Sequence, residues 1–249
     1  DAVVSAGTYE CVSVVSAQPG NNDKAFALRA NSYPHVVPGT YINLGFFPAG
    51  FSTQWFVDEF CHADREESEK YGVSVDEYLG GCMEERPSGQ LFLPYLIGSG
   101  TPYWDPFVRG ALLGITPGTS RHDVFRAIFE GIAYELKLNI NNLESIGTRL
   151  DDMVISGGNS RLDFSVQLRA DVTGKRFARI DTTETVCKGA AMLAGVALGV
   201  YGNYEDAVKK TAAMQEVFSP RLEMTKRYRK LYAQYKKIYR GVRRIQTIR

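Results

Sequence analysis

The stretch that decides the fold reads MVISGGNSRLDFSVQLRADVTG and covers residues 153–174. It opens with three apolar residues typical of a β-strand, continues through Gly157 and Gly158, and then becomes amphipathic. Ser160 followed by an acid at Asp163 matches a capping box, which predicts that a helix begins at Ser160. The stretch therefore predicts a strand, a glycine turn and a helix in direct succession.

A turn of this kind can bind a nucleotide. It places free backbone N–H groups at a helix N-terminus, beside a glycine surface that carries no Cβ. Any α/β domain also needs such turns for packing alone, so on this stretch by itself both interpretations stay open.

Composition places the chain among ordinary globular proteins, with 249 residues, 44% hydrophobic and 23% charged, enough for one domain or two. The net charge of +1 does not favour binding to nucleic acid or to an anionic membrane. Since there is no long apolar run and no secretory signal pattern, we expect a cytoplasmic location and no membrane partner. The four cysteines and three histidines show neither a disulfide framework nor metal-ligand spacing, so we expect no protein-held metal site.

The first fifth of the chain is rich in predicted strands. Two of them flank Gly7 and Thr8, and two more are predicted at residues 26–29 and 41–47. The glycine opens the backbone, and the threonine supplies a hydroxyl and an N–H that could contact a phosphate. A plain hairpin that happens to contain a threonine explains the pattern equally simply.

Helices are predicted where the spacing of apolar residues changes. From Gly50 the aromatic residues fall at helical spacing, with Gln54 in the first turn of the predicted helix. The clearest helix covers residues 123–136. Before it lies an aromatic segment bounded by prolines, across which Asp105 and Arg109 could form a pair, and a structural role is favoured for that pair.

We divide the chain into residues 1–220, one lobe, and residues 221–249, a basic amphipathic C-terminal segment. This segment holds eleven basic residues and one acid, with tyrosines at helical spacing. Its pattern fits a terminal helix that packs its tyrosines on the core, or a nucleic-acid contact. We favour the helix and expect no nucleic-acid partner, because acids elsewhere bring the net charge back to +1. The last residues are expected to fray.

Four ordered segments carry a resemblance to a known family. The sequence GALLGI at residues 110–115, followed after seven residues by DVFRAIFE at 123–130, resembles the second signature of the FGGY family of carbohydrate kinases. The segments WDPFVRGALLGIT at 104–116, GGNSRLDFSVQLRADVTG at 157–174 and ETVCKGAAMLAG at 184–195 are similar to that family's C-terminal half, in the same order.

The resemblance covers the chain from its start to about Tyr204 and implies an α/β fold. The family's members, xylulokinase- and glycerol-kinase-like enzymes, have two ribonuclease-H-like (actin-like ATPase) lobes, each a mixed β-sheet flanked by helices. They transfer the γ-phosphoryl group of Mg-ATP to a sugar or polyol hydroxyl. The resemblance therefore implies ATP and Mg²⁺ as cofactors and a ketopentose or related sugar as substrate. The alternative is a non-catalytic, actin-like module that binds ATP for regulation.

The resemblance also implies where a nucleotide is bound. The family's contacts map to the turn at the terminal phosphates, to the start of one helix, and to the glycine turn beneath adenosine. The residues at these positions are Gly7, Thr8, Gly50, Gln54, Gly157, Gly158 and Asn159. Glycerol-kinase-like members hold adenine with an asparagine where this chain has Leu162, so Asn159 or Arg161 is expected to take that role.

The family's catalytic aspartate lies upstream of the Gly-Thr turn, and Asp1 is too close to Thr8 to be that residue. The chain begins at Asp1, without a methionine, and runs at once into an apolar strand, as expected of a piece of a longer protein. We therefore expect no catalytic residue here and no turnover by the chain alone. Its expected partner is the N-terminal lobe of the same protein, and a homodimer stays open.

Overall fold

The computed structural model describes residues 2–20, 22–182, 184–211 and 214–246. Its strands are β1 (Ala2–Ala6), β2 (Tyr9–Ser16), β3 (Asn31–Pro34), β4 (Tyr41–Pro48), β5 (Leu91–Leu93), β6 (Ala111–Leu113), β7 (Asp152–Ser156), β8 (Arg176–Ile180) and β9 (Met214–Phe218). Its α-helices are α1 (Asp23–Ala27), α2 (Gly50–Phe60), α3 (His62–Tyr71), α4 (Val75–Cys82), α5 (Arg121–Ser145), α6 (Asp163–Thr173), α7 (Thr185–Ala197), α8 (Tyr204–Thr211), α9 (Leu222–Tyr235) and α10 (Ile238–Gln246). A 3₁₀-helix spans Gly158–Arg161.

Among the described residues, seven strands form one mixed sheet in the order β3-β4-β2-β1-β7-β8-β9, and β5 pairs with β6 in a separate ribbon. Neighbouring strands from β3 to β1 are antiparallel, whereas β7 and β8 run parallel to β1. The long helix α5 packs on β2 and β4, and α6 packs on β8 and β9. The prediction of a mixed sheet flanked by helices is therefore confirmed.

Helix α5 forms the centre of the core. It begins with a capping box, in which Ser120 Oγ accepts from the Asp123 N–H and Asp123 Oδ2 accepts from the Ser120 N–H. The apolar stripe that predicted this helix is fully buried, at Phe125, Ile128, Phe129, Ile132 and Leu136. The predicted helix is confirmed and continues for more than two turns beyond its predicted end, to Ser145.

The C-terminal segment packs its tyrosines against α5. Tyr228 donates its hydroxyl to Glu130 Oε1 at 3.0 Å, and Tyr235 donates to Glu135 Oε1 at 2.6 Å. All four side chains are buried. The segment forms two helices, α9 and α10, rather than one, and the predicted frayed end at residues 247–249 lies outside the described residues. The boundary at residue 220 stays a prediction.

The strand predicted at residues 26–29 is wrong, because this segment belongs to α1 and the turn that follows it. Asn22 caps the helix by accepting a hydrogen bond from the Ala25 N–H through its side chain at 2.8 Å. Phe26 is 88% exposed, so its apolar character does not report a position in the sheet. The strand next to β4 is β3 instead.

The predicted pairing of Asp105 with Arg109 is also wrong. Asp105 Oδ2 lies 2.6 Å from Arg243 Nε and accepts from the Tyr239 hydroxyl at 3.2 Å, and both partners belong to α10. Arg109 instead donates to two backbone carbonyls of its own loop. The acid therefore ties the aromatic segment to the C-terminal helix. Within the described ranges, no helix has the length and apolar character needed to cross a membrane.

Replacing Gly131 with alanine should destabilise the fold, although alanine favours helices. The added Cβ would lie 2.2 Å from the Phe92 carbonyl oxygen, so α5 or β5 must move. Such overpacking costs about 1–3 kcal/mol, against about 1 kcal/mol that alanine gains over glycine inside a helix. Urea denaturation measures the difference.

The matched control is Gly189→Ala in α7, where no described atom lies within 4 Å of the added Cβ. This variant should keep or raise the free energy of unfolding. Equal stability of the Gly131 and Gly189 variants would contradict the close contact between α5 and β5.

Glu135 should make the stability depend on pH. Burial raises its pKa to about 7, and the hydrogen bond from Tyr235 opposes this only in part. The folded protein therefore keeps a proton that the unfolded chain loses near the ordinary value of 4.5. The contribution of Glu135 to the free energy of unfolding is fully present below pH 4.5. It falls by about 3 kcal/mol as the pH rises to about 7.

Glu135→Gln should remove this part of the pH dependence, because the amide does not ionise. Urea titrations of both proteins at a series of pH values between 4 and 8 measure it. If the two proteins lose stability in parallel as the pH rises, the raised pKa of Glu135 is refuted.

Candidate nucleotide-binding site

An open cleft of about 640 Å³ lies where four segments meet: the β1–β2 turn, the start of α2, the α3–α4 region and the 3₁₀-helix after β7. Strands β1 and β7 are parallel neighbours, so their carboxyl ends lie at the same edge of the sheet. Six of the seven candidate residues line the cleft: Gly7, Thr8, Gly50, Gln54, Gly158 and Asn159. The seventh, Gly157, is not among the lining residues.

The Gly7-Thr8 turn is joined to α2 through backbone hydrogen bonds. The Gly50 N–H donates to the carbonyl oxygens of Gly7 at 3.2 Å and Thr8 at 3.0 Å, and the Ala49 N–H also donates to Thr8 at 3.0 Å. A Cβ on Gly50 would lie 2.9 Å from the Gly7 oxygen and 3.0 Å from the Thr8 Cα. Only glycine lets the helix approach the turn this closely.

The start of α2 suits an anion. Ala49 occupies the N-cap position without a side-chain hydrogen bond, and the first turn contains no acid. The partial positive charge of the helix N-terminus is therefore not compensated by a side chain of that turn. It lies against the Gly7-Thr8 turn, so one end of the cleft is chemically suited to phosphate.

Gln54 is oriented by a polar network at the side of the cleft. Its Nε2 donates to both carboxylate oxygens of Asp58, at 2.9 and 2.8 Å, and Arg65 Nη2 donates to Asp58 Oδ1 at 2.7 Å. These hydrogen bonds, from Gln54 first and then from Arg65, lower the pKa of Asp58. Arg65 also lines the cleft, where its charge is paired with that of Asp58.

The two glycines after β7 have different tasks. Gly157 has φ = +99°, and a Cβ there would lie 2.6 Å from the Ala6 carbonyl oxygen, so it allows the turn to contact β1. Gly158 has no described atom within 4 Å of an added Cβ and lines the open cleft. One glycine therefore serves the fold, while the other leaves space in the cleft.

The capping box predicted at Ser160 and Asp163 is wrong. Ser160 lies in the 3₁₀-helix and donates its hydroxyl to the Gly157 carbonyl at 2.7 Å. Helix α6 begins only at Asp163, with Leu162 at the N-cap and no side-chain hydrogen bond there. The serine closes the glycine turn instead of starting the long helix.

A second cavity of about 720 Å³ continues from the first and shares Asp76, Gly158 and Asn159 with it. Leu162 and Arg161 line this second cavity, so Leu162 and both of its candidate substitutes surround one space. Asp76 lines both cavities, although no sequence motif predicts it as a cleft residue. Burial raises the pKa of Asp76. The sequence signal that places it is Ser74, which caps α4 and sets Asp76 in its first turn.

Comparison with known proteins identifies the family. Residues 2–198 match the model of the FGGY family of carbohydrate kinases, C-terminal domain. The chain belongs to this family. Its similar relatives include a glycerol kinase of Photorhabdus laumondii subsp. laumondii, 35% identical over 183 residues, which are 73% of this chain and 34% of the relative. A xylulose kinase of Staphylococcus epidermidis is 31% identical over 214 residues, 86% of this chain and 42% of the relative.

Solved structures of related enzymes share the fold of this FGGY chain. A xyloylose kinase from Brucella ovis matches with a TM-score of 0.82 at 22% identity, covering 98% of this chain and 49% of that one. A glycerol kinase from Plasmodium falciparum, solved with ADP, matches with a TM-score of 0.78 at 20% identity, covering 97% and 47%. The predicted ribonuclease-H-like, actin-like ATPase lobe is confirmed. This chain spans between a third and a half of the length of the relatives it matches.

Proposed function

We propose that this chain is the nucleotide-binding lobe of an ATP-dependent carbohydrate kinase. The whole enzyme would transfer the γ-phosphoryl group of Mg-ATP to a hydroxyl of a ketopentose or related sugar. The observation that carries the proposal is the meeting of three separate glycine-containing segments around one cleft, in a member of a carbohydrate kinase family.

The two ends of the cleft differ in chemistry. At one end Thr8 supplies a hydroxyl and the uncapped start of α2 adds partial positive charge, which suit the terminal phosphates. At the other end Gly158 offers an open surface for adenosine. Asn159 lines both cavities, which supports it over Arg161 as the adenine contact. Held this way, ATP is positioned for transfer mainly by electrostatics and orientation.

The magnesium ion would come with the nucleotide. Among the described residues, no group of three or more His, Cys, Asp or Glu side chains could hold a metal ion. Mg²⁺ in kinases is commonly bound by substrate phosphates with one or two carboxylates, so an all-protein site is not needed. Bound there, it would neutralise charge that develops on the phosphates.

The catalytic base and most of the sugar contacts would come from the N-terminal lobe. Closure of the two lobes would bring the sugar hydroxyl to the terminal phosphate and exclude water. The base would then remove the proton of that hydroxyl as the new bond to phosphorus forms. This chain alone would hold nucleotide weakly, if at all, and would not turn over.

A coupled ADP-release assay tests the proposal on the full-length protein that contains this chain. We expect sugar-dependent ADP release with at least one member of a panel of pentuloses, hexuloses, glycerol and deoxysugars. ATP binding with no turnover on any of them would contradict the kinase and favour the regulatory ATP-binding module.

A single substitution tests the adenosine surface. Gly158→Val should lower ATP affinity of the full-length protein at least tenfold, because the new side chain would fill the space proposed for adenosine. It should unfold at nearly the same temperature, since its Cβ has no described neighbour within 4 Å. Calorimetric titration with ATP measures the affinity.

The matched control is Gly118→Val, in a loop outside the lining of either cavity, where the nearest atom to an added Cβ lies at an ordinary 3.9 Å. It should bind ATP as the unmodified protein does. If the ATP affinity of Gly158→Val is unchanged, Gly158 does not lie against adenosine and serves only the packing of the turn.

A further inference from the structure

A buried ion pair connects the strand that follows one turn of the cleft with the helix that follows the other. Arg169 donates from Nε to Glu10 Oε1 at 3.0 Å and from Nη2 to Glu10 Oε2 at 2.5 Å. Both side chains are completely buried. The remaining guanidinium nitrogen, Nη1, donates to the Ser165 carbonyl at 3.0 Å. The pair is therefore bidentate, and the guanidinium is also anchored to its own helix.

The position of the pair relates it to the site. Glu10 lies on β2, two residues after Thr8 in the phosphate turn. Arg169 lies on α6, the helix that follows the Gly157-Gly158 turn. The two residues are 159 positions apart in the sequence, and their contact joins the strand of one turn to the helix of the other.

Stability alone is a poor explanation for such a pair. Removing two charges from water costs about as much as their attraction returns, and apolar residues of similar size often stabilise a protein equally well. A bidentate contact between a guanidinium and a carboxylate does fix distance and orientation, because both groups are planar and share two hydrogen bonds. Such geometry is useful where two segments must keep a set spacing.

We propose that the Glu10–Arg169 pair, added to the backbone contact of Gly157 with Ala6, fixes the spacing between the phosphate turn and the adenosine turn, so that one ATP molecule contacts both. This inference rests on the proposed function. Since both side chains are fully buried, neither can contact ATP directly, and both are positioning residues. A ligand that spans two sites gains affinity when the sites are held at the matching distance, whereas a ligand that fills one site does not.

The test compares three ligands on the full-length protein: ATP, which spans both turns, and adenosine and tripolyphosphate, which each fill one. In the double variant Glu10→Leu/Arg169→Met, an apolar pair replaces the ion pair and should preserve folding. We expect ATP affinity to fall about tenfold or more while affinities for adenosine and tripolyphosphate change less than about twofold. Calorimetry measures the binding of ATP, and ligand-observed NMR measures the weaker binding of adenosine and tripolyphosphate.

Two further variants make the test decisive. Arg169→Lys keeps the charge but loses the planar bidentate contact, so we expect a smaller loss of affinity, for ATP only. If the double variant does not fold, this variant is the test of the proposal. The control is Glu144→Leu/Lys175→Met, which removes an ion pair of 2.5 Å between α5 and the residue before β8, away from the cleft lining. This control variant should bind all three ligands as the unmodified protein does.

Two outcomes overturn the inference while leaving the proposed function intact. One is unchanged ATP affinity in the folded double variant. The other is an equal loss for all three ligands, which would assign the pair a purely structural role. If the unmodified full-length protein binds no ATP, the proposed function and this inference fail together.

Discussion

Two peptide carbonyls and two peptide amides hold the candidate site together. The N–H of Gly50 donates to both carbonyls of the Gly7-Thr8 turn, so the first turn of α2 and the hairpin of the sheet act as one unit. Gly157 brings a second turn against Ala6, at the end of the same strand. Because these are contacts between main chains, they depend on the absence of a side chain rather than on the chemistry of one.

Much of the lobe could be predicted from local patterns. The strands on either side of Gly7, the start of α2 at Gly50 and the buried stripe of α5 each follow from apolar spacing with a glycine or a cap beside it. The family signatures add long-range order that spacing alone cannot provide. Together they place six of the seven candidate residues, all except Gly157, around one cleft.

In two of the failures a polar side chain takes a partner other than the one that its local pattern predicted. Asp105 pairs with α10 rather than with the nearby Arg109, and Ser160 closes the glycine turn rather than capping α6. The contact of Glu10 with Arg169 carries no local signal, since it joins residues 159 positions apart. Adjacent sequence therefore predicts the elements, while the partners of polar groups follow from the fold.

The tyrosine contacts of the C-terminal helices constrain when the core can be completed during synthesis. The Tyr235 hydroxyl reaches Glu135 from a position 100 residues further along the chain. Until that tyrosine leaves the ribosome, the carboxyl group in the middle of α5 lacks the hydrogen bond it has in the finished lobe, and burying it without that partner is costly. The central helix therefore reaches its native environment only after α9 has emerged, so its assembly is a late step of folding.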